Sequence, residues 1–157
     1  MVKIIEKGII GEIDDNSIND VYLSFLIDTA LNRYIQYINT FLNELNLTIP
    51  QSRILFTLIT YNNVSVDVLA NKSYMSKSSV TKAVKHLESK GLVNKKIDDL
   101  DNRRKIVSIT KEGMAMQEEL LKLNDGIEER IVEKLGKEKI FSLKLNLKDL
   151  ISELKHL

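Results

Sequence analysis

Apolar residues recur at helical spacing along most of this chain, and the places where the rhythm stops divide it into elements. From Asn19 to Leu45 the series Leu23, Ile27, Ala30, Leu31, Tyr34, Ile38, Phe41, Leu42 and Leu45 predicts one long amphipathic helix. Thr48 can cap a second helix with Pro50 in its first turn, where proline's missing N–H costs nothing. The inward face of that helix is Ile54, Leu55, Leu58 and Ile59, and Asn62-Asn63 ends it. A short helix follows over about Val66–Asn71. Ser76 is a good N-cap for the next, which runs to Lys90 with Val80, Ala83, Val84 and Leu87 on its apolar face. Gly91 stands where a left-handed residue closes a helix. Two β-like stretches, Leu92–Ile97 and Lys105–Ile109, flank a polar tip and predict a hairpin. Thr110 then opens a helix with Leu120, Leu123, Ile127, Ile131 and Leu135 on one face. Gly136 breaks it, and Ile140, Leu143, Leu147, Leu150, Ile151 and Leu154 carry a last helix to the C-terminus. Residues 1–17 show no clean periodicity and read as an extension or a short strand.

Composition narrows the picture by exclusion. The chain has 157 residues, 43% hydrophobic and 29% charged, the balance of an ordinary globular protein large enough for a real core. No apolar run approaches the roughly 20 residues of a membrane span. Glu6, Glu12, Asp14 and Asp15, with no apolar stretch beside them, argue against a signal peptide. The absence of cysteine removes disulfides, thiol chemistry and cysteine-ligated metals. These features predict a cytoplasmic protein with no cofactor.

Charge adds the first functional indication. Residues 72–111 hold eleven Lys and Arg against four acids, a net of +7; the remainder is −6, which returns the chain's +1. So local a split fits a polyanion-binding face, and on charge alone it fits a solvated basic face about equally well. The same segment contains a short helix, a tight turn and a capped second helix, the pattern that places a recognition helix in the major groove. Its N-terminal residues are Ser76, Lys77, Ser78, Ser79, Thr81, Lys82 and Lys85, of which positions 77, 78, 81, 82 and 85 fall on the side away from the apolar face. Short hydroxyls there can bond phosphates or base edges, lysines neutralise phosphates, and the helix N-terminus adds N–H donors. In the hairpin tip, Asp101 and Arg103 are two apart and project to one side of an extended backbone. The acid can brace the guanidinium for entry into a narrow minor groove, with Arg104 and Lys105 alongside.

These stretches together resemble the MarR family. The resemblance rests on Leu47-Thr48-Ile49-Pro50-Gln51-Ser52-Arg53-Ile54-Leu55, Leu69-Ala70, Ser76-Lys77-Ser78-Ser79-Val80-Thr81-Lys82 and Leu87-Glu88-Ser89-Lys90-Gly91-Leu92-Val93, followed by Asp101-Asn102-Arg103-Arg104 and Ile109-Thr110-Lys111-Glu112-Gly113. It covers about residues 20–155. It implies a mainly α fold with a small β-hairpin wing: a single domain over 1–157, with dimerisation helices at 18–48 and 111–157 around a winged helix-turn-helix at 49–110. It further implies a homodimer on double-stranded DNA. The usual role is repression, often relieved by a small phenolic or anionic effector bound between the DNA-binding and dimerisation regions; activators also occur. The wing motif of the family, Asp-any-Arg, falls on Asp101 and Arg103. Asn102 stands where arginine is common, and the recognition helix carries lysines, which lack arginine's bidentate fork.

Other readings are weaker. An enzyme would need a glycine-rich loop, a metal-ligand cluster or a triad, and the six glycines form no such loop. His86 and His156 alone do not make a zinc sensor. His86 is more readily a packing or phosphate-contact residue than a ligand. Tyr22, Tyr34, Tyr37 and Phe41 could line an effector pocket, but aromatics at this spacing more often serve a core or dimer interface. A protein-binding winged-helix adaptor, or an architectural DNA binder, could use the same fold, and salt dependence of DNA binding separates these readings.

Overall fold

The computed structural model describes residues 21–98 and 104–156, in two compact units that divide between Ile49 and Pro50. Residues 1–17 and most of the hairpin tip therefore lie outside the described residues.

In the first unit, α1 (Leu23–Glu44) starts four residues later than the apolar pattern suggested. Ile38 and Leu42 on α1 are buried, as is Leu47 just after it. Leu23, Ile27, Leu31 and Tyr34, predicted on the same stripe, are exposed. Tyr37 and Phe41, one turn apart, meet edge to face at 5.3 Å.

The second unit begins within α2 (Ile49–Thr60), whose Ile54, Leu55 and Leu58 are buried as expected; Ile59 is exposed instead. β1 (Val64–Ser65) leads into α3 (Val66–Ser73), whose N-cap Ser65 accepts a hydrogen bond from the Val68 N–H. Then come α4 (Lys77–Ser89), β2 (Val93–Ile97), β3 (Lys105–Ile109), α5 (Lys111–Leu135) and α6 (Lys137–Glu153). The hairpin pairs Val93 with Ile109 through to Ile97 with Lys105. The sequence missed β1: two residues carry no readable alternation. It adds an antiparallel strand on the far side of β3, pairing Val64 with Val107, so the sheet order is β1-β3-β2. α3 and α4 pack on one another and against this sheet around Leu69, Val80, Val84, Leu87, Val93 and Val107, all essentially inaccessible to solvent. Fully burying an aliphatic side chain stabilises by about 1.5–3 kcal/mol, so this cluster anchors the inner face of α4.

Three helices close with the same pair of backbone bonds, the Schellman arrangement. After α1, Asn46 N–H donates to Asn43 O and Leu47 N–H to Leu42 O. After α3 the bonds run from Tyr74 to Asn71 and from Met75 to Ala70; after α4, from Gly91 to Glu88 and from Leu92 to Leu87. Each motif needs one residue at positive φ, and these are Asn46 (53°), Tyr74 (53°) and Gly91 (71°).

The start of α5 is fastened to the turn between α4 and β2. Thr110 Oγ1 accepts from the Gly113 N–H at 2.9 Å and donates to Gly91 O at 2.7 Å, while the Thr110 N–H donates to Leu92 O at 3.1 Å. At Gly113 the helix passes so near β2 that a Cβ would stand 2.0 Å from Leu92 O. The end of α2 is tied to the sheet as well: Asn62 Oδ1 accepts from the Ile109 and Asn63 N–H groups. Further along, Leu120 and Ile127 on α5 and Ile140 on α6 are buried, but Ile131, Leu135, Leu143, Leu147, Ile151 and Leu154 are exposed.

Candidate nucleic-acid interface

Ser76 is the N-cap of α4, as its position before the apolar series suggested, and its side chain organises the first turn. Its Oγ accepts from the Ser79 N–H at 3.2 Å, donates to the Ser79 hydroxyl at 2.8 Å, and stands 3.1 Å from Ser78 Oγ. Thr81 Oγ1 donates to Lys77 O at 2.8 Å. A hydroxyl has one proton and two lone pairs, so Ser76 and Thr81, having committed their protons to Ser79 Oγ and Lys77 O, are left with acceptor capacity only. The Ser79 proton, and that of Ser78 when it turns from Ser76 Oγ, can then be given to a phosphate. Three hydroxyls at the positive end of a helix form a surface suited to an anion's oxygens and to base edges.

Val80, Ala83, Val84 and Leu87 hold the inner face of α4, leaving Lys77, Ser78, Thr81, Lys82 and Lys85 exposed on the other. The lysines are not equivalent. Lys77 Nζ is 2.6 Å from Asp67 Oδ1 on α3, so part of its charge is already neutralised. Lys82 and Lys85 form no ion pair with any described residue. Lys95, on β2, reaches back to Glu88 of α4 at 2.6 Å in a partly buried pair. That contact braces the wing against the recognition helix and withdraws one lysine from the basic face. Neither pairing was readable from spacing, because the partners come from different elements.

Around the wing, Lys105 opens β3 and is exposed. Arg104 is exposed too, and its carbonyl accepts from the Asp98 N–H at 2.9 Å, continuing the hairpin ladder by one bond. Asp101 and Arg103 lie outside the described residues. His86 is exposed on the last turn of α4. Among the aromatics considered for an effector pocket, Tyr22, Tyr34 and Tyr37 are exposed and Phe41 is half-buried. Partial burial of the Tyr34 ring raises its phenol above the ordinary value, keeping it a proton donor.

Comparison with known proteins places this geometry. Residues 47–105 match the model of the MarR family. The transcriptional regulator FarR of Neisseria gonorrhoeae is 35% identical over 113 residues, covering 72% of this chain and 75% of FarR. The organic hydroperoxide resistance transcriptional regulator of Bacillus subtilis (strain 168) is 26% identical over 96 residues, or 61% of this chain; the match spans 65% of that regulator, just under two thirds of it. Among solved structures, the S. aureus MepR–DNA complex superposes with a TM-score of 0.75 at 23% identity, over 85% of this chain and 98% of that one. NadR in complex with 4-hydroxyphenylacetate gives a TM-score of 0.69 at 30% identity, over 85% and 92%.

Proposed function

The chain belongs to the MarR family of winged-helix transcriptional regulators, and from that premise we propose that it is a cytoplasmic, non-enzymatic homodimer that represses transcription from a specific duplex operator and leaves it when a small ligand binds. The observation that carries the DNA reading is the division of α4. Its inner face is locked into the core by Val80, Val84 and Leu87, while its outer face offers the Ser76-Ser78-Ser79 hydroxyls, Thr81 and the unpaired Lys82 and Lys85. The helix is thus held rigidly with donors, acceptors and charge facing outward, as major-groove reading requires.

In this reading Lys82, Lys85 and Lys105 neutralise phosphates, Lys77 joins them on release from Asp67, and Arg103, braced by Asp101 and flanked by Arg104, enters the minor groove. The ligand we infer is a small aromatic carboxylate carrying a hydroxyl. NadR, 30% identical, binds such a compound, and tyrosine phenols such as that of Tyr34 are suitable donors to it.

The test is a titration against pooled duplex DNA at two salt concentrations, followed by sequencing of the bound fraction. An enriched palindrome whose binding collapses at high salt is the expected result. Lys82→Ala and Lys85→Ala should each reduce the slope of log affinity against log salt by about one. Binding that shows no enrichment, or no dependence on salt, would refute the operator-reading role.

A further inference from the structure

The turn between α3 and α4 contains a residue that the fold itself does not explain. Tyr74 occupies the left-handed position of the motif that closes α3, at φ 53° and ψ 41°. Two other helices close the same way, and there the position is filled by Asn46 and Gly91, residue types that enter this region readily. A tyrosine enters it against the steric resistance of its Cβ. Nothing visible in the fold offsets that resistance. Tyr74 is 82% exposed, more than any other large hydrophobic residue described, and its phenol makes no hydrogen bond to a described residue.

Its position supplies the reason. Tyr74 lies two residues before the N-cap Ser76, next in the chain to the hydroxyl cluster that opens the recognition helix and to the exposed Lys77, Lys82 and Lys85 of that helix. An aromatic ring with a polar tip suits the backbone of a duplex, where the ring covers the apolar face of a deoxyribose and the hydroxyl donates to a phosphate oxygen. We propose that Tyr74 is a DNA-contact residue that grips the backbone at the edge of the groove entered by α4. Because its donor is neutral, it adds affinity without displacing a condensed counterion, in contrast to the lysines around it. The proposal rests on the DNA-binding reading of α4.

The experiment uses the full chain and the duplex enriched by the selection described above. Tyr74→Gly removes both the ring and the backbone strain, and Tyr74→Phe removes only the hydroxyl. The glycine variant should melt at the same temperature as the parent or higher, yet bind the duplex about tenfold more weakly. The phenylalanine variant should show an intermediate loss, and both should keep the parent's salt slope. Parent-like affinity of the glycine variant, with the parent itself binding normally, overturns the assignment of Tyr74 alone. A changed salt slope overturns the neutral-donor contact. A parent that binds no duplex overturns the reading of α4 on which the proposal stands.

Discussion

Gly113 shows how a single missing side chain can fix the placement of a long helix. A Cβ there would stand 2.0 Å from Leu92 O and 2.7 Å from Ile109 Cγ1. The first neighbour is backbone in the turn just before β2 and cannot swing away. Gly113→Ala should therefore cost about 1–3 kcal/mol, the range for overpacking a tight site, even though alanine is the better helix former. Chemical denaturation with an unchanged m-value would check it; a stabilised variant would mean that α5 can move outward freely. Nearby, Thr110 joins three segments through one hydroxyl and one N–H. Its role as a cap was readable from its place before the apolar series. The close approach at Gly113 was not, because the residue it would meet lies some twenty positions earlier in the chain.

The same contrast holds among whole elements. Ser76, Gly91, Thr110 and Gly136 bounded their helices in the sequence because capping chemistry is local: a hydroxyl three residues from an N–H, or a glycine at positive φ. β1 was invisible because it is two residues long and exists through its pairing with β3. The exposure of Ile131, Leu135 and Ile59 was equally hidden, since periodicity reports that a face is apolar and not what covers it. The charge pairs belong to this scale as well. Asp67 on α3 holds Lys77 at the mouth of α4 and would face any phosphate brought there. An exposed pair of this kind contributes little to folding. Asp67→Asn should accordingly leave the melting temperature nearly unchanged. It should raise duplex affinity a few-fold and steepen the salt slope by about one as Lys77 is freed. Weaker binding by this variant would show instead that Asp67 positions Lys77 productively.

At the scale of the whole molecule, exposed apolar residues gather on the first and last described helices. Leu23, Phe25, Ile27, Leu31 and Tyr34 on α1, and Phe141, Leu143, Leu147 and Ile151 on α6 with Leu154 just after it, are too many for a monomer to leave in water. In the homodimer proposed above a second copy of the chain covers such surfaces, and its two-fold symmetry would set two recognition helices about 34 Å apart, one turn of duplex. Leu147→Glu puts a charge into this face while leaving the buried core untouched. Sedimentation should then report a species near the 18.0 kDa of one chain, and operator affinity should fall by about 10²-fold or more as the second half-site is lost. A variant that remains dimeric would place the interface elsewhere.

The fastening of α5 has a mechanical consequence. Thr110 and Gly113 clamp one end of that helix to the turn joining the recognition helix to the wing, and its 25 residues extend for about 37 Å from the clamp. It is a lever with its fulcrum beside the reading head. A pivot of about 5° at the clamp displaces the far end by about 3 Å over that length. Run in reverse, a ligand or partner that shifts the distal part of α5 by one side-chain width rotates α4 and the wing as a unit. The spacing of two reading heads on a duplex could then be retuned without unfolding or repacking either one.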